Sequence, residues 1–139
     1  MTNKTLDGGL YCAEMVLAEV AAQHGIDSPL IPRIATGLCS GMSRTCGPCG
    51  ALTGGILALN LMLGRDDRGQ AVERNYAAVQ ELVETFQQQH GSSQCKELLG
   101  CDFGTPEGQQ KYRNEQLGQR CHIFSESTIE MVNKILTNA

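Results

Sequence analysis

The residues best able to do chemistry in this chain of 139 are its seven cysteines: Cys12, Cys39, Cys46, Cys49, Cys95, Cys101 and Cys121. Thiolates attack disulfides and bind soft metal ions, and which they do depends on where the sulfurs stand. Cys46-Gly47-Pro48-Cys49 is a CxxC pair, the spacing of a redox dithiol or of half a zinc site. Cys49 also stands directly before Gly50-Ala51-Leu52-Thr53-Gly54, which reads as a helix start. Unpaired amides and the helix dipole at such a start favour a thiolate. Cys12, Cys95 and Cys121 each fall on or near an expected helix, and bundled helices can bring them to one point. Cys39 and Cys101, lone thiols in glycine-containing segments, read as small buried hydrophobes. Seven is odd, so complete internal disulfide pairing is excluded.

Other chemistry has little support. His24, His90 and His122 are the three histidines. His24 and His90 each precede a glycine at a helix end, where an imidazole caps carbonyls. His122 neighbours Cys121 and is the one candidate for a supporting donor or alternative ligand, with a solvent-exposed ring as the plainer reading. There is no HExxH, no GxSxG, no GxGxxG after a strand and no GxxxxGK[ST], so neither acyl transfer nor nucleotide binding is expected. Carboxylates such as Glu81 and Glu84 fall on solvent faces. Arg33 and Arg44 flank the cysteine-rich segment and would favour thiolates or a negatively charged cluster if they face it.

The elements that must position the cysteines are helical. Leu10 to His24 carries apolar residues at Leu10, Ala13, Val16, Leu17, Val20 and Ala21, with Gly25 as a stop. A short helix is expected around Ile31 to Ala35, and Thr36 to Gly50, rich in Gly and Cys, reads as a loop. Ala51 to Leu63 is apolar nearly all round and predicts a central buried helix, with small residues that admit a second backbone. Val72, Tyr76, Val79, Val83 and Phe86 predict one helix face over Gln70 to Gln89. A short helix over Cys95 to Leu99, a start at Thr105-Pro106 and a final helix over Arg120 to Leu136 follow. That last helix should bury Cys121, Phe124, Thr128, Val132 and Ile135. No period-2 strand appears. The expected fold is all-α, a bundle of about five or six helices around a central apolar helix with a Gly/Cys-rich loop, in a single domain over residues 1–139.

Composition bounds the rest. Hydrophobic residues make up 41% and aromatics 4%, without Trp, so the core is aliphatic. A net charge of -4 argues against nucleic-acid binding. Met1 to Gly25 lacks a signal-peptide pattern, with only Lys4 before an apolar stretch that Glu14 and Glu19 interrupt. The longest apolar run is too short to span a bilayer, which needs about 20 residues. No membrane insertion and a cytoplasmic setting are expected, where clustered cysteines bind metal or cycle redox states. The central helix is compatible with burial in one subunit or in a homodimer, and the redox partner protein is not readable.

The Cys-Gly-Pro-Cys quartet matches thioredoxin in letters but not in context. That fold needs a hydrophobic strand before the motif, and Ile34 to Thr45 is glycine-rich and polar. A fuller resemblance covers nearly the whole chain. Cys12-Ala13-Glu14, Pro32-Arg33-Ile34-Ala35-Thr36-Gly37, Gly41-Met42, Cys49-Gly50-Ala51-Leu52-Thr53-Gly54, His90-Gly91-Ser92, Cys95-Lys96-Glu97-Leu98-Leu99-Gly100 and Cys121 together resemble the redox-active family named for its C_GCAxxG_C_C signature. Matched motif by motif, the family's four cysteines fall on Cys12, Cys49, Cys95 and Cys121; Cys39, Cys46 and Cys101 are additions to it. A related domain occurs in split-Soret cytochromes with an iron–sulfur centre, so the resemblance implies that these four could bind a 2Fe–2S or 4Fe–4S cluster. No CxxCH is present, so no covalently attached haem is expected. Three functions stay open: a cluster-binding protein for electron transfer or redox sensing, a thiol–disulfide oxidoreductase using Cys49 and Cys46, and a zinc or soft-metal protein in which Cys46 and Cys49 supply half the shell.

Overall fold

The computed structural model describes residues 9–139. Residues 1–8, including the Lys4 that enters the reading of the N-terminus, lie outside the described residues. The described chain is all-helical. Its elements are α1 (Cys12–Gln23), a 3-10 segment (Arg33–Leu38), α2 (Cys39–Arg44), α3 (Gly50–Leu63), α4 (Glu73–His90), α5 (Cys95–Leu99), α6 (Pro106–Asn114) and α7 (Gly118–Asn138). Among the described residues no strand forms, and Pro48 and Gln94 make an isolated antiparallel bridge. No described helix is long and apolar enough to cross a membrane.

The apolar α3 runs through the middle, with α1, α4 and α7 packed around it. Its glycines set the spacing. A Cβ on Gly54 would stand 2.6 Å from the Ala13 carbonyl oxygen, and one on Gly55 would stand 2.6 Å from the Thr128 methyl. Helices α1 and α7 therefore approach α3 more closely than a side chain would allow. Val16, Leu17 and Val20 of α1, Leu59 of α3, Leu82 and Phe86 of α4 and Val132 of α7 are wholly buried between them.

Two elements differ from their sequence patterns. On α4 the buried residues are Ala78, Leu82 and Phe86, Val79 and Val83 are partly buried, and Tyr76 is 58% exposed. The core stripe is rotated away from Tyr76, because a buried phenol needs a hydrogen-bond partner, whereas the small Ala78 lets α4 settle close to α3. On α7 Phe124, Thr128, Val132 and Ile135 are buried as expected, but Cys121 is only partly so.

A further difference lies in residues 36–50, read as a loop. They hold the end of the 3-10 segment and α2, a helical turn of left-handed sense. Ser40, Gly41, Met42 and Ser43 have φ of 56, 64, 58 and 59°, and Arg44 continues at 69°. This conformation costs roughly 1–2 kcal/mol for each residue that bears a Cβ, so only Gly41 adopts it freely. Hydrogen bonds within the segment hold the rest in place. Ser43 Oγ donates to the Gly37 carbonyl at 2.8 Å, Thr45 Oγ1 donates to that of Met42 at 2.8 Å, and the Gly47 amide donates to that of Gly41 at 2.9 Å. A strained turn kept by its surroundings points to a local role.

Candidate functional site

Four helices begin at one end of the molecule, and each brings a cysteine with its start. Cys12 opens α1, Cys49 is the residue capping α3, Cys95 opens α5 and Cys121 lies in the first turn of α7. All four line one cavity of about 150 Å³, walled otherwise mainly by apolar groups such as Leu98, Leu99 and Phe103. A void of that size is ample for several small atoms. Backbone hydrogen bonds fix the arrangement. The Cys49 amide donates to the Ser93 carbonyl at 2.7 Å, and the Cys95 amide donates to the Gly47 carbonyl at 3.0 Å, so the CxxC segment is clipped to the start of α5. The Cys12 sulfur lies so close to Gly50 that a Cβ there would collide with it.

All seven cysteines are free thiols. The site opposes their ionisation. Burial pushes the Cys49 thiol up, and the amides of Ala51 and Leu52 at the head of α3 pull it the other way without winning. The helix-start effect expected for Cys49 is thus present but outweighed by desolvation. Cys95 is pushed up to about 12, by burial first and then by the neighbouring sulfurs of Cys49 and Cys121. Cys121 rises to about 11 by burial, against a hydrogen bond that the Tyr112 hydroxyl donates to its sulfur at 3.9 Å. A metal cation would reverse this balance, since coordinated thiols lose their protons.

The remaining cysteines stand outside this ring. Cys39 is buried beside Cys12, whose thiol shares a hydrogen bond with it and raises it more than burial does, and its own sulfur donates to the Ala35 carbonyl at 3.7 Å. Cys46 does not line the cavity; its thiol donates to Asp102 Oδ1 at 3.1 Å, which raises the thiol and lowers the carboxyl. The two halves of the CxxC pair therefore face different surroundings. Cys101 is buried without lining the cavity, near enough to Cys95 and Cys121 to raise both, and is itself raised by desolvation.

A family model described as "Putative redox-active protein (C_GCAxxG_C_C)" matches residues 10–135. The chain belongs to this family. No curated protein and no solved structure matches it. The four cysteines that the C_GCAxxG_C_C motifs pick out, Cys12, Cys49, Cys95 and Cys121, are the four that share the cavity. The departure from the four-cysteine family pattern is the presence of three further cysteines, Cys39, Cys46 and Cys101.

In this member of the C_GCAxxG_C_C family the histidines play other parts than carbonyl capping. His24 Nε2 meets Asn133 Oδ1 at 2.9 Å, and His90 lies between the rings of Phe86 and Phe124 with Nε2 3.1 Å from Ser127 Oγ. His122 does line the cavity, while its Nε2 pairs with the Glu126 carboxylate. Tyr112, on the polar helix α6, is a site residue that the sequence does not advertise. Among the described residues no three His, Cys, Asp or Glu side chains converge closely enough to hold a single metal ion. The four sulfurs surround a space rather than a point.

Proposed function

We propose that this redox-active protein holds an iron–sulfur cluster through Cys12, Cys49, Cys95 and Cys121 and serves in electron transfer or redox sensing. The observation that carries the reading is the single apolar cavity onto which four cysteines from four helix starts open. The donor set fits the group: four thiolates complete the shell of a 2Fe–2S or 4Fe–4S cluster. The surroundings fit its charge, since helix N-termini favour an anion and a cluster bound by four thiolates is anionic. When bound, the cluster supplies one-electron redox chemistry. The chain supplies the thiolates, the amides at the head of α3, the Tyr112 hydroxyl and a wall that limits water.

The alternatives have less support. A zinc ion with Zn–S bonds of about 2.3 Å needs its sulfurs drawn together at one point. A Cys46–Cys49 dithiol needs an exposed, low-pKa attacking sulfur, whereas Cys49 is buried and Cys46 is bonded to Asp102.

The deciding experiment is anaerobic purification and reconstitution, followed by iron and sulfide analysis and an absorption spectrum. The expected product is coloured and carries both elements. Serine at Cys12, Cys49, Cys95 or Cys121 should remove the colour, and serine at Cys39, Cys46 or Cys101 should keep it. A colourless chain without iron or sulfide sinks the proposal.

A further inference from the structure

A second concavity of about 210 Å³ adjoins the cysteine cavity and shares walls with it, among them Tyr11, Ser40 and Tyr112. Its character is different. Arg44 and Arg113 line it together with the Gln109 amide, and no acidic side chain does. Among the described residues neither guanidinium belongs to an ion pair. In a chain with 15 acidic and 11 basic residues, two unpaired arginines in one concavity are a local reversal of charge. The strained turn α2 builds part of it, for it presents Ser40 to both cavities and Arg44 to the outer one.

We infer that this outer basin binds a small anion bearing a carboxylate or phosphate group. Guanidinium forks grip such groups in pairs of parallel hydrogen bonds. The hydroxyls of Tyr11 and Ser40 supply further donors, so the basin is rich in N–H and O–H groups and poor in negative charge. An anion held there lies one wall away from the four sulfurs. That the anion lies beside a redox centre rests on the cluster reading above; that it binds does not.

The test uses the full-length, metal-free, reduced chain and two probes, inorganic phosphate and succinate, titrated by calorimetry. Saturable binding of at least one probe is expected, and the tighter one tells whether the natural ligand is phosphorylated or a carboxylate. R44Q and R113Q should each weaken it about tenfold, as expected for losing hydrogen bonds to a charged group. R74Q, which removes the same charge from the exposed face of α4, should leave it unchanged, and R113K should fall between R113Q and the parent. Circular dichroism checks that each variant stays folded. Absence of saturable binding, or equal weakening in R74Q, overturns the inference. The two readings separate cleanly. A chain that binds a probe but never takes up iron removes the cluster alone, and one that takes up iron but binds neither probe removes the basin alone.

Discussion

Tyr112 is where a single hydroxyl bears on the redox centre. Burial raises its phenol above the usual range, so it remains an O–H donor at neutral pH. Its bond to the Cys121 sulfur stabilises negative charge there, and the reduced form of a thiolate-bound cluster carries one more negative charge than the oxidised form. Tyr112→Phe should therefore lower the reduction potential of the loaded protein by about 20–60 mV, with iron content unchanged. A potentiometric titration reads this, and an identical potential would remove the role. His90 acts on stability instead. Burial lowers its pKa from 6.5, so the folded state prefers the neutral ring. The resulting stability is complete above pH 6.5 and declines as pH falls below it, because the unfolded chain takes up the proton first. Chemical denaturation at pH 7.5 and 5.0 should show this loss in the parent. His90→Gln should show a smaller one.

Elements explain why the cysteines meet. The close crossing of α1 on α3 depends on Gly54, where a Cβ would press on the backbone of Ala13. Gly54→Ala gains helix propensity of about 1 kcal/mol but forces two backbones apart, an overpacking cost of about 1–3 kcal/mol. Backbone yields less readily than a side-chain tip, so the melting temperature should fall by several degrees. A rise would mean that the helices separate without strain. Such features were legible because they rest on periodicity: the apolar stripes of α1 and α7, the all-apolar α3 and the Thr105-Pro106 start are local signals. The left-handed turn α2 was not, because Ser40, Met42, Ser43 and Arg44 carry no local preference for positive φ, and contacts made only in the folded chain impose it. The site divides the same way. The CxxC pair and the helix starts mark cysteines, but the meeting of Cys49 with Cys95 uses the Pro48–Gln94 bridge, a pairing 46 residues apart along the chain that no pattern announces. Tyr112 and Arg113 sit on the short polar helix α6, where nothing in sequence separates a site residue from a solvated one.

At the scale of the whole molecule, the fold is built around thiols whose ionisation it opposes. Burial above all pushes Cys95 up to about 12 and Cys121 up to about 11 from an ordinary 9.0, and raises Cys49 as well. Folded values above the unfolded value contribute stability that is fully present below pH 9 and lost as pH climbs through the folded values. The slope approaches about 1.4 kcal/mol per pH unit for each thiol. Urea denaturation of the metal-free, reduced chain should thus show midpoints that hold up to pH 8.5 and drop steeply by pH 10.5, with a shallower drop for Cys95→Ala. Loading the cluster should abolish most of that dependence, because bound thiolates have already given up their protons and a centre that binds only the folded chain stabilises it. Midpoints that fall in parallel with and without iron would mean that something other than these sulfurs governs the alkaline limit, and the coupling of the fold to its metal would have to be sought away from the cavity.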